Sequence, residues 1–480
     1  MYTATESVQS YRSSRHRNMA LGALLLASFL GTADVFIIIA ALPSIEKAFG
    51  AEFADTQFVA TAYTLAYACT LVTGGRLGDM LGRKRVFLTG ATAFAVAALG
   101  CATAGSVGVL VAIRVVQGIA AGLMLPQVLS IIRTTFPLPT QARAVSLYGA
   151  ALGVATVCGQ ALAGLLLRAD PLRLGWRTVF LVDLLPVVVI VAATMRLVPD
   201  SKAAVAARLP RLSPLLLAAG LAAVLVPLAN GAARGWTREY VASVVVGSIV
   251  LTAFIFREFR VADRGSATLL PATALRDRTF GLGILTVFIY YSGTAALNML
   301  LSYFLQSGLH RDPLTAGLQF APLGIGFMVG SLLAGRVTNV RRVPLPVIGC
   351  SIMALTRLLM LFAVTHTGFA QLAVLEAALL ITGVAQGFVV APMIAATLGR
   401  AGVDEAGAAS GTVMTISNIA VAFGVAGLGG VFLATTTRWG SVIGFSTVLL
   451  VMAALAVAAA VSSFTVTRPG TAAAQQKGSQ

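Results

Sequence analysis

The sequence runs to 480 residues, of which 58% are hydrophobic and only 11% charged, with a mean hydropathy of +0.90. That balance excludes an ordinary soluble domain and puts the chain in a lipid bilayer. The formal net charge of +17 does not point to nucleic acid, because the basic residues are not gathered on a polar face with aromatic or helical readers beside them.

The opening "SSRHRN" and the apolar stretch behind it look like the start of a signal peptide. Residues 19–43 are longer than a secretory core and carry no obvious cleavage site, so they read as a retained first transmembrane helix. At about 20 residues per crossing of a ~30 Å hydrocarbon layer, the apolar runs predict spans at 19–43, 57–75, 86–104, 107–131, 144–167, 177–197, 212–230, 240–257, 280–306, 315–336, 343–365, 370–397, 408–435 and 441–463. These runs are apolar all round, whereas barrel strands alternate, so an all-α membrane fold is expected. Most of the 34 Lys and Arg fall in cytoplasmic loops if the N-terminus is cytoplasmic, which sets both termini inside. Cys69, Cys101, Cys158 and Cys350 all sit in apolar runs without a CxxC pair or a ligand histidine, so neither disulfides nor a metal site is indicated.

The loop between the second and third spans, "GGRLGDMLGRKR", concentrates charge in an otherwise apolar chain. Its bases anchor topology, but topology depends little on acids, so Asp79 needs a local role, and Gly82 allows a tight turn. "GRVTNVRR" at 335–342 repeats this loop about 260 residues later, with Asn339 in the place of Asp79. "RVVQG" with Pro126 is likewise echoed by "GVAQG" with Pro392. The repeat implies two six-helix halves, 19–198 and 266–465, joined by a linker at 199–265 with two extra helices. A cytoplasmic tail at 1–18 and a disordered one at 466–480 complete the expected organisation.

The pattern of Gly75, Leu77, Asp79, Gly82, Arg83 and Lys84 resembles the signature loop of the major facilitator superfamily, which implies a conformational latch formed by Gly75, Asp79, Gly82, Arg83 and Lys84. Fourteen spans resemble its drug:proton antiporter branch, as do "ADVFIIIAALP", "AIRVVQGIAAG", "GWRTVFLVDLLP", "YFLQSGLHRDPLTAGLQFAP" and "EAGAASG", in order and spacing along nearly the whole chain. The resemblance implies the major facilitator fold, a substrate cavity where the halves meet, and proton coupling through Arg114. The chain departs from the branch's G-P-x-x-G-G motif, with Gln160 for the proline and Ala163 for a glycine. Phe36 and Ile39 replace polar residues beside Asp34, and Asp183 stands where Asn is usual.

A charge near the bilayer centre costs roughly 2.5–3.5 kcal/mol on insertion scales, so each needs a partner, water or a function. Asp34 and Arg114 fall at about the same depth, 12 to 14 Å at 1.5 Å per residue, and Gln117 lies one turn from Arg114 on the same face. Two readings follow: a coupling pair that parts to let Asp34 take a proton, with Asp183 as a second carrier, or a fixed pair that locks helices. Asp183 reads as shallow, so a wetted acid near Arg177 is the other possibility. Arg357 and Glu376 are expected to neutralise each other, unless Arg357 faces the cavity. Phe36, Gln117, Gln160, Asn298, Tyr303, Gln306, Arg357, Gln386 and Asn418 are the candidate cavity residues.

No G-x-x-x-x-G-K-[ST] loop occurs, which removes a nucleotide-driven pump, and no nucleophile constellation suggests an enzyme. The expectation is a monomeric antiporter of the inner (cytoplasmic) cell membrane, without a cofactor, using the proton gradient to export amphipathic compounds such as drugs or antibiotics. Export of one endogenous metabolite, or a non-transporting sensor, are the alternatives. Its partners are then the small-molecule substrate, protons and the lipid bilayer, and no nucleic acid.

Overall fold

The computed structural model describes residues 14–136, 138–171, 173–202, 212–264, 268, 275–337, 344–365, 369–398 and 406–467. The expected tails lie largely outside these, as do Asn339 and Glu405. Backbone groups that face lipid must be satisfied within their own segment, and the apolar runs accordingly fold as helices, with no strand among the described residues.

In chain order the first seven are α1 (Ser14–Phe49), α2 (Phe53–Leu81), α3 (Arg83–Ala102), α4 (Val107–Thr135), α5 (Leu138–Ala169), α6 (Thr178–Leu181) and α7 (Leu184–Leu197). Two follow in the middle of the chain, α8 (Leu212–Arg234) and α9 (Arg238–Asp263). The remainder are α10 (Arg278–Tyr303), α11 (Pro313–Leu318), α12 (Ala321–Val337), α13 (Leu345–Thr365), α14 (Phe369–Leu398), α15 (Ala406–Trp439) and α16 (Ser441–Thr467). Their starts follow local capping chemistry: Ser106, Thr237 and Asp277 accept from the backbone N–H groups of Val109, Tyr240 and Thr279. Asp312 caps α11, with Pro313 behind it, and the hydroxyl and backbone hydrogen bonds from Thr315 hold its carboxyl below the usual carboxylate range.

Every expected span falls on helix, and among the described residues twelve helices or helix pairs in line are long and apolar enough to cross a bilayer. Two expected spans differ. The one at 57–75 is bent by 47° between Phe53–Leu71 and Thr73–Leu81, just ahead of Gly74 and Gly75. The one at 212–230 lies on α8, whose fully described apolar stretch is Leu212–Leu228, and the described residues define twelve crossings, or thirteen with the bent pair. Large apolar side chains stand outward along them, with Leu185 75% exposed and Val96 66%, as lipid-facing surface requires.

The chain forms two compact units, Met1–Leu269 with Leu305–Leu318, and Leu270–Phe304 with Gln319–Gln480. In the first, α1 packs on α5, α2 on α4 and α3 on α4; in the second, α10 packs on α15, α12 on α14 and α13 on α14. The sequence repeat is thus visible as a repeated pairing. Glycines permit the close approaches: a Cβ on Gly118 would strike the Tyr63 carbonyl of α2, and one on Gly383 of α14 the Leu323 carbonyl of α12. The extra pair, α8 and α9, belongs to the first unit, with α8 packed on α2. Between the start of α8 and the end of α9, Ser213 donates to Glu258 Oε1 at 2.5 Å and accepts from Arg257 Nη1 at 2.6 Å.

Candidate functional site

Three helices of the first unit, α1, α2 and α4, bring their polar residues to one buried place. Arg114 of α4 and Asp34 of α1 are almost wholly shielded, at 0% and 1% exposure. Arg114 Nη1 donates to Asp34 Oδ2 at 2.8 Å and to Gln117 Oε1 at 2.8 Å. Its Nε donates to the Val59 carbonyl of α2 at 3.1 Å, while Gln117 Nε2 reaches Asp34 Oδ1 at 3.4 Å. Helical spacing puts Gln117 where it can join both partners. The guanidinium lies over the Tyr63 ring, 4.1 Å from its centroid, and Tyr63 is itself tied to α1 through its hydroxyl and the Gly31 carbonyl, 3.2 Å apart. A charge stacked on an aromatic face and paired with a carboxylate is compensated without water.

Asp183 corrects the sequence reading. It is fully buried rather than wetted, and Arg177 instead donates to the Ala104 carbonyl at 3.3 Å and lies over the Trp176 ring. Pro186 cannot donate to the Val182 carbonyl, so one helical hydrogen bond is missing where α6 passes into α7, while Val182 and Asp183 keep helical dihedrals and Gly175–Leu197 runs on as one span. Asp183 lies against Asp34 and Arg114, and in the same segment the buried Trp176 and Phe180 rings meet edge to face, with half-buried Phe49 packed on Trp176.

The expected Arg357–Glu376 pair is not formed. Arg357 Nη1 donates to Thr382 Oγ1 at 3.2 Å, and Glu376 accepts from Gln319 Nε2 at 3.2 Å. Arg357 meets α14 at Thr382, six residues or about 9 Å along that helix from Glu376, so the two do not stand level. Arg357 lines a small cavity of about 10 Å³ with Tyr290, Cys350 and Met452, room for about one water.

The other candidates fall in both units. In the first, Phe36 packs against Gly159, Gln160 is 1% exposed with neither side-chain polar atom hydrogen-bonded, and Gln306 Nε2 donates to the Ala40 carbonyl at 2.9 Å. In the second, Asn298 and Gln386 are buried, the Tyr303 ring meets Phe432, and Asn418 is occupied by the Met414 carbonyl of its own helix.

The charged loop closes within the first unit. Gly82 joins α2 to α3 at φ +108°, a conformation that favours glycine. Asp79 Oδ1 accepts from Arg83 Nη2 at 2.7 Å, Lys84 Nζ donates to the Met195 carbonyl at 2.8 Å, and Arg85 pairs with Asp200 at 3.4 Å. Gly75 comes near Pro126. Sequence reasoning missed Asp200, although an acid just behind the sixth span, across from a basic loop, was a readable signal. It also missed Tyr63, which nothing in an apolar run marks out.

The profile of the Major Facilitator Superfamily matches residues 24–425 and, in a second alignment, 283–479. The probable actinorhodin transporter of Streptomyces coelicolor is 33% identical over 416 residues, 86% of this chain and 72% of that protein. The puromycin resistance protein pur8 of Streptomyces alboniger is 32% identical over 426 residues, 88% of this chain and 83% of that protein. A solved D-xylose–proton symporter shares the fold with a TM-score of 0.64 at 17% identity, covering 94% of this chain and 97% of that one. The chain belongs to the Major Facilitator Superfamily. Within it the protein is a multi-pass membrane transporter of the drug-efflux branch.

Proposed function

We propose that this transporter exports an amphipathic organic compound in exchange for protons, by alternating access, across the cytoplasmic membrane with both termini inside. The observation that carries the coupling is the buried Asp34–Arg114–Gln117 network, in which each of the three side chains is hydrogen-bonded to the other two. While Arg114 is engaged, Asp34 is compensated as a carboxylate. Once substrate or helix movement draws Arg114 away, the isolated carboxylate takes up a proton rather than stay charged in an apolar site. Proton binding and substrate departure then exclude one another, which is the condition for exchange. The loop of Asp79, Gly82, Arg83 and Lys84 is proposed to clasp one conformation and release it in the other.

The names of the relatives bear on the substrate. One is called an actinorhodin transporter and another a tetracenomycin C resistance and export protein, which favours a compound of the antibiotic class. The test is accumulation of puromycin and of a fluorescent cationic amphiphile in everted vesicles energised by respiration. Accumulation that a protonophore abolishes is expected; accumulation indifferent to the protonophore contradicts coupling.

A further inference from the structure

We propose that Asp183 and Asp34 form an acid pair that holds one exchangeable proton, resident on Asp183 while Arg114 is engaged with Asp34. This rests on the reading that transport is coupled to protons, and names where the proton sits.

The accounting is short. Asp183 is 0% exposed, and neither of its carboxyl oxygens has a hydrogen-bond donor. It lies against Asp34 of α1, whose own oxygens already accept from Arg114 and Gln117. The other polar groups that reach this site are Arg114 from α4, Tyr63 from α2 and Cys101 from α3, and no salt bridge to Asp183 exists among the described residues. Two carboxylates and one guanidinium leave a buried excess of one negative charge, which a dry site does not support.

Ionised carboxyl groups are acceptors only, so two of them in contact repel and satisfy nothing. A single proton removes the excess charge and supplies the missing donor, joining Asp183 to Asp34. Paired acids in low-dielectric sites elsewhere share protons for the same reason. Arg114 provides the other half of the exchange, because its Nη2 is buried without an acceptor. When Asp183 gives its proton to water, the carboxylate formed has that Nη2 to receive it. Release of the proton and a shift of Arg114 from one acid toward the other are then one event, where α6 passes into α7.

The test is infrared spectroscopy of the purified protein in lipid nanodiscs at neutral pH, in H₂O and after exchange into D₂O. Wild type should show a carboxylic-acid C=O stretching band that is lost in both Asp183→Asn and Asp34→Asn, since either change leaves one acid facing one arginine. Absence of the band from wild type, or its survival in Asp183→Asn, overturns the proposal. Should Asp183→Asn fail to fold, Asp183→Glu keeps the carboxyl and displaces it, so the band must shift in frequency; an unmoved band belongs to another group and is equally contrary. The readout needs no transport. A band with the expected losses alongside uncoupled transport would sink the coupling reading and leave the pair standing, and coupled transport without the band would do the reverse.

Discussion

Arg114 serves two side chains and a carbonyl from one guanidinium, and its replacement tests how far the network is a unit. Arg114→Met leaves Asp34 and Asp183 buried without a cation, a loss of about 3–5 kcal/mol for a broken buried pair. The expected outcome is a clearly lowered melting temperature in detergent, with much of the loss recovered when Asp34→Asn is added. Equal and additive losses would mean that the two residues do not act on one another. Asp34, Arg114 and Gln117 were legible in the sequence because a charge inside an apolar run stands out and helical spacing fixes its neighbours. Tyr63 was not, since an aromatic in such a run reads as packing. For Asp183 the sequence left a wetted and a buried reading open, because distance from a helix end does not say what packs over a side chain, and Arg357 was paired with Glu376 because residue counts do not fix how neighbouring helices are aligned along their length.

Among the helices, the pairings of α2 with α4 and of α12 with α14 rest on glycines at the contact. Gly118→Val drives a side chain into the Tyr63 carbonyl, and overpacking of this kind costs about 1–3 kcal/mol. Gly281, with nothing within 4 Å of the place its Cβ would occupy, is the control. Membrane yield and melting temperature should fall for Gly118→Val and hold for Gly281→Ala; equal behaviour would remove close packing as the reason for Gly118. At the loop, Gly82→Ala adds backbone strain of about 1–3 kcal/mol and sets a Cβ 2.8 Å from Asp200 Oδ1. Trypsin should cut at Arg83 and Lys84 sooner in this variant, and unchanged digestion would show that the clasp does not need the glycine. Hydropathy located these helices well, because length and apolarity are linear properties of sequence. The bend in α2 was hidden, because it depends on what packs beside it.

Across the molecule, the repeat read from "GRLGDMLGRK" and "RVVQG" foretold the recurring helix pairs, although it did not reveal that α8 packs on α2, or that 305–318 group with the first unit. Such placements are set by long-range contacts that leave no period in the sequence. Orientation follows from charge alone and is open to labelling. In a background without native cysteines, Asp170→Cys should react with an impermeant maleimide on intact cells, and Arg264→Cys only after permeabilisation. The opposite pattern would invert the topology and every assignment of sidedness with it.

Proton movement in proteoliposomes bears most directly on how the transporter works. The purified protein would be sealed in vesicles with a lumenal pH dye and an imposed gradient, then exposed to cationic, neutral and anionic amphiphiles. A compound that dissipates the gradient through wild type and not through Asp34→Asn is the predicted result, and its charge names the substrate class. A compound that crosses equally well through both proteins, with no movement of protons in either, would contradict exchange at the Asp34–Arg114 site.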